Sequence, residues 1–94
     1  MDFEAFNQSI KDPVPLGNIS VYLQAMWYDA KGNWEKAHSM VDSLTDATAC
    51  YVHAYLHRKE GDIWNADYWY RRAGKVRPDI SLQQEWEIIV QELL

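Results

Sequence analysis

The sequence predicts an all-α fold: two antiparallel helical hairpins, an N-terminal arm and a C-terminal capping helix. Three observations lead there. Apolar residues recur at helical spacing in successive segments. No run alternates apolar and polar residues as a half-buried strand would. Turn signals at Asp12-Pro13, Gly32-Asn33, Thr45-Asp46, Gly61-Asp62 and Pro78 separate the segments at helix-length intervals.

The arm covers residues 1–17. Phe3, Phe6 and Ile10 form one helical stripe there, too short to hold without docking. Asp12-Pro13-Val14-Pro15 breaks it, because a residue before proline avoids the helical region. The first hairpin covers 18–44. Its first helix is expected over 18–31, with Asn18 as N-cap and Tyr22, Ala25 and Met26 on one face. Its second runs from Trp34 to Leu44, with Ala37 and Val41 at helical spacing. The second hairpin covers 46–78. A helix is expected over Ala47–Glu60, stopped by Gly61. Asp62 can cap the next, over Ile63–Lys75, and Pro78 forces the break after it. The capping helix covers 81–94. Ser81 and Gln84 have the form of a capping box, and Leu82, Trp86, Ile89, Val90 and Leu93 make its apolar stripe.

Composition bounds the function. A chain of 94 residues is one domain, and its mass allows about 65% of the extended surface to be buried. At 48% hydrophobic and 14% aromatic it can fill a modest core. One cysteine excludes an internal disulfide framework, which makes a reducing compartment the default. No apolar run is long enough to span a membrane, and Met1-Asp2-Phe3-Glu4 lacks the basic start of a secretory signal. A cytoplasmic protein is the expectation. The net charge of −5 speaks against nucleic-acid binding, which draws affinity from a basic excess. That charge is uneven: six of the nine basic residues lie between Arg58 and Arg77, with only Glu60, Asp62 and Asp67 among them. Acidic neighbours can neutralise this segment, or it can attract an acidic partner.

The turns repeat. Ala25, Gly32-Asn33 and Ala37 have the offsets of Ala54, Gly61-Asp62 and Ala66. Alanine lets two helices approach closely, and glycine permits the turn between them. This pattern resembles the tetratricopeptide repeat, a helix–turn–helix unit with small residues where its helices touch. Residues 47–78 match best, continuing through Tyr70 and Ala73 to Pro78. The first copy has Val41 and Leu44 there instead, and Gly32 lies 29 residues from Gly61 where the family repeats at 34. The block from His53 to Asp62, followed by Tyr68 to Gly74, also resembles a group of small bacterial proteins built on this hairpin plan. That resemblance covers roughly residues 20–94 and implies a fold, not an activity.

The first helices of tetratricopeptide-like hairpins line a concave groove. The resemblance therefore places Tyr22, Met26 and Asp29 on one wall and Tyr51, Tyr55, Arg58 and Lys59 on the next. Tyrosines beside an Arg–Lys pair suit a peptide carrying carboxylates. Two hairpins curve little, however, and the arm is long enough to fill the space. Arg58 would then pair with Glu60 or Asp62 at the surface. The leading expectation is a non-catalytic binding module for a protein or peptide, with no cofactor, nucleic acid or membrane partner.

The alternative is a pocket for a small ligand or metal, with or without catalysis. His53 and His57 lie one turn apart, and Asp62 or Asp67 is placed to pair with His57 across the turn. Cys50, His53 and His57 share a helical face, and His38 is a candidate fourth metal ligand. The same face points inward in the repeat, where a buried cysteine and satisfied histidines need no metal. No catalytic residues are assigned, because no nucleophile elbow, metalloprotease motif or phosphate loop is present. Finally, Trp64, Tyr68, Trp69 and Tyr70 crowd one short helix and cannot all face one core. Trp69 and Tyr70 are expected inside, with Tyr68 half exposed. With Arg71 and Arg72 the rest can form an aromatic–arginine recognition surface.

Overall fold

The computed structural model describes all 94 residues. It contains six helices and no strand: α1 (Phe3–Ser9), α2 (Val21–Ala30), α3 (Trp34–Val41), α4 (Ala47–Glu60), α5 (Ile63–Arg72) and α6 (Leu82–Leu93). Each helix is started by a short polar side chain. Asp2, Ser20, Asn33, Asp46, Asp62 and Ser81 each accept a hydrogen bond from the backbone N–H three residues on. Such caps contribute about 1 kcal/mol apiece. At Ser81 the Gln84 side chain returns the bond, which completes the capping box.

Three boundaries differ from the sequence reading, each for a local reason. Asn18 does not cap α2. It adopts a left-handed φ of 65° in the turn before the helix, and Ser20 makes the cap instead. Helix α3 stops at Val41 rather than Leu44, and the Leu44 amide instead donates to the Val41 carbonyl in a tighter turn. Helix α5 stops at Arg72 rather than Lys75. Gly74, at φ 73°, turns the chain back so that the Lys75 amide reaches the Tyr70 carbonyl.

Helices α2 and α3 pack as one pair and α4 and α5 as another, and each pair closes with the same turn. Gly32 and Gly61 are left-handed, and the next amide reaches back to the carbonyl five residues earlier: Asn33 to Tyr28, Asp62 to His57. Eight of the fourteen α4 residues are buried, so this helix is the centre of the molecule. It touches α2, α3, α5 and α6. Helix α6 lies on α2 and α4, where Trp86 donates its indole N–H to the Met26 carbonyl at 3.1 Å. The arm docks beside it: Phe3 and Phe6 pack on Trp86, and Trp27 donates to the Ser9 carbonyl at 3.1 Å.

At the crossing of α4 and α5, Ala54, Ala66 and Tyr70 form a small buried cluster of their own. Ala66 has no exposed surface. Ala66→Leu is expected to lower stability by roughly 1–3 kcal/mol through overpacking. Thermal melting compares the variant with wild type, and an unchanged midpoint would contradict this crossing.

Candidate functional site

Helix α6 and the arm cover the wall formed by α2 and α4, and the residues assigned to ligand contact are engaged within the chain. Tyr55 is 2% exposed and donates to Asp29 Oδ2 at 3.0 Å. Lys59 Nζ reaches the other oxygen of Asp29 at 2.9 Å. Arg58 pairs with Glu85 Oε1 at 2.8 Å and also donates to the Ile80 carbonyl. It bonds neither Glu60 nor Asp62. Tyr22 donates to Asp46 Oδ2 at 2.8 Å, which holds the Asp46 carboxyl below its ordinary range. Tyr51 packs half-buried against Tyr70, with Lys75 Nζ 4.5 Å from its ring centre. Burial, then the charges of Glu92 and Glu85, push its phenol up to about 12. Met26 and Asp29 are buried. Each of these side chains thus has contacts within the chain, and Asp29, Tyr55 and Lys59 also edge a cleft between the arm, α2 and α6.

The histidines are brought together more closely than helical spacing implies. His38 comes from α3, His53 and His57 from α4. One ring nitrogen of each lies within 4.8 Å of the others. His38 Nε2 and His53 Nε2 are 3.0 Å apart. Two tryptophans bracket the cluster: Trp34 stacks on His38 at 4.8 Å between ring centres, and Trp69 on His53 at 4.0 Å. Trp34 is fixed by donating to the Leu56 carbonyl at 2.7 Å. His57 Nδ1 meets Glu60 Oε1 at 2.6 Å, not the expected Asp62 or Asp67. Asp67 is instead held by Arg77 at 2.8 Å. Cys50 lies outside the cluster, buried, with its Sγ directed at the Thr45 carbonyl 3.7 Å away. The carboxylates of Glu60 and Asp62 gather around His57 at the rim.

Burial lowers the basicity of this cluster. His53 falls to about 4, first because burial penalises the imidazolium and then because His57 and His38 would add like charge, against a small opposing pull from Asp42. His38 is lowered for the same first two reasons, burial and His57, with Asp42 and Glu60 opposing. The His53 Nδ1 atom is the one buried side-chain polar atom left without a partner.

On the other side of α5 the surface is aromatic and cationic. Tyr70 is buried, as expected, but Trp69, also expected inside, is only half-buried, while Trp64 is 78% exposed and Tyr68 39%. Trp64, Tyr68, Arg71 and Arg72 follow one face at i, i+4, i+7 and i+8. Arg72 lies over both Tyr68 and Trp69, 5.8 and 5.0 Å from their centres. Arg58, Lys59 and Arg77 are paired with carboxylates, but Arg71, Arg72 and Lys75 make no ion pair. The basic stretch is therefore only partly neutralised. Arg71, Lys75 and Arg77 also edge an open cleft of about 410 Å³ beside Pro78.

Comparison with protein-family models, with curated proteins and with solved structures finds no match to this chain. The site is thus read from its own geometry. The chief residue absent from the sequence reading is Glu85, fully buried and bonded to Arg58 and to the Tyr70 hydroxyl at 2.6 Å. Its signal was available. Glu85 follows Leu82 by three and precedes Ile89 by four, which places a carboxylate on the apolar stripe of α6.

Two outcomes follow from these contacts. Arg58→Met leaves the Glu85 charge buried without its cation and is expected to destabilise by roughly 3–5 kcal/mol. Urea denaturation measures it, and a loss below about 1 kcal/mol would show the pair to be dispensable. The second concerns acid. The unfolded His53 takes up a proton near 6.5 and the folded one only near 4, so unfolding binds a proton between those values. Stability is complete above this window and falls as pH drops through it, by about 2 kcal/mol between pH 7 and pH 5. Denaturation in chelator-treated buffer should show this slope, and His53→Gln should remove most of it. A profile equally steep in that variant would assign the acid sensitivity elsewhere.

Proposed function

We propose that this chain is a non-catalytic binding module built of tetratricopeptide-like hairpins, which docks an acidic protein or peptide segment on the outer face of α5. The observation that carries this reading is Trp64, 78% exposed, in line with Tyr68 and with cations that have no carboxylate of their own. A large exposed aromatic side chain loses free energy in water that a partner can recover. Tryptophan, tyrosine and arginine are also the side chains in which interface energy concentrates. The planar guanidiniums of Arg71 and Arg72 can hold a carboxylate through two parallel bonds, and Lys75 adds a point charge at the end of the stripe.

The paired helices with alanine crossings and matching glycine turns support the tetratricopeptide-like description, as does the repeat in the sequence. The docking face proposed here differs from the concave one that the resemblance implies, a choice supported by the packing of α6 on α2 and α4. No helix is long and apolar enough to cross a membrane.

Trp64→Ala should weaken partner capture about tenfold, or 1.4 kcal/mol, and Arg71→Ala with Arg72→Ala should do the same. Neither should move the melting midpoint appreciably, since all three side chains are exposed. Salt should weaken the wild-type complex more than the double-arginine variant's. Affinity capture with wild type and variants in parallel, quantified by mass spectrometry, reads the effect. Equal recovery of every partner would sink this reading.

A further inference from the structure

The imidazole cluster at the junction of α3 and α4 takes no part in the docking face, yet its donor set has a definite chemistry. We propose that His38, His53 and His57 form a binding site for one divalent transition-metal ion of the zinc class, with a remaining coordination position open to solvent or to an added ligand.

The geometry supports three ligands converging on one point. Two imidazole nitrogens bound to a tetrahedral zinc at about 2.0–2.1 Å lie roughly 3.3 Å from each other. His38 Nε2 and His53 Nε2 are 3.0 Å apart, and one nitrogen of the third ring is within 4.8 Å of both. Side-chain shifts on the order of an ångström would close such a set. His53 and His57 are one turn apart on α4, the spacing at which two histidines of a helix share a metal. His38 faces them from a different helix, so the three ligands bridge the two helix pairs.

The surroundings are those of a ligand set. Metal binds neutral imidazole, and His53 is buried with its Nδ1 unpartnered, with His38 half-buried beside it. Glu60 Oε1, 2.6 Å from His57 Nδ1, is placed to accept its N–H, the tautomer that leaves the Nε2 lone pair for a metal. Asp42 lies 3.8 Å from His38 Nδ1 in the corresponding position. Carboxylates that orient ligating histidines through the far nitrogen are the usual outer partners of such sites. The stacked Trp34 and Trp69 rings hold two of the imidazoles in place. His38, with its side chain 25% exposed, gives the ion a route in. Cys50 contributes nothing, since its sulfur faces the Thr45 carbonyl instead.

This ligand set makes a specific forecast. Tag-free protein, stripped with chelator and dialysed, is titrated with Zn²⁺ by calorimetry and with Co²⁺ by visible absorption. One equivalent should bind, and the melting midpoint should rise with free metal concentration. His38→Gln is the main variant because His38 is the least buried of the three, and circular dichroism verifies its fold. It should lose at least tenfold in affinity. Glu60→Gln should lose ten- to a hundredfold, and Cys50→Ala nothing. Absence of stoichiometric binding by folded wild type would overturn the proposal. So would unchanged affinity in folded His38→Gln, and above all binding that survives there but disappears in Asp62→Asn. That last result would move the metal to the exposed His57, Glu60 and Asp62 at the rim.

Discussion

The fully buried carboxylate of Glu85 constrains the arrangement of half the chain. It accepts from Arg58 of α4 and from the Tyr70 hydroxyl of α5, and it is itself part of α6. A charge removed from water is tolerated only when its partners are in place, so this carboxylate admits one relative setting of three helices. Arg58 extends the constraint by donating to the Ile80 carbonyl, which fixes the chain just before α6 begins. Asp29 repeats the device on the other side, drawing Tyr55 and Lys59 of α4 against α2. Apolar burial supplies the drive to fold, and these two acids select the register in which it happens.

What was legible in the sequence was local. Helix starts were readable at Asn33, Asp46, Asp62 and Ser81, because a cap depends on residues three apart. The turns at Gly32 and Gly61 were readable because only glycine enters the left-handed region freely. Asn18 and Ser20 compete for one cap, and spacing alone does not choose between them. The apolar stripe of α6 was visible, but its destination was not. Its docking joins segments far apart in the chain, Trp86 to Met26 of α2 across 60 residues and Glu85 to Arg58 of α4 across 27. That tertiary event covers part of the face on which a groove was expected.

The candidate site divides in the same way. The histidine spacing on α4 announced that two imidazoles share a face, and the structure brings the candidate His38 of α3 up to them. Cys50 shared that face by periodicity, yet a helical face spans a wide arc, and its sulfur ends at the edge facing Thr45. The crowding of four aromatic residues on α5 implied that some must point outward. Trp69 turned out to join both regions, stacked on His53 beneath and carrying Arg72 above. A change in the inner cluster therefore has a direct mechanical neighbour in the outer stripe.

The docked position of α6 has a consequence for any competitor. A helix joined to its receptor surface by a short connection acts as a ligand present at millimolar effective concentration. A free peptide seeking the face between α2 and α4 must outcompete that tethered occupant, and must also satisfy Arg58 once Glu85 has left. The face between α2 and α4 is thus held by a segment of the chain itself, at a local concentration that a free peptide would have to exceed.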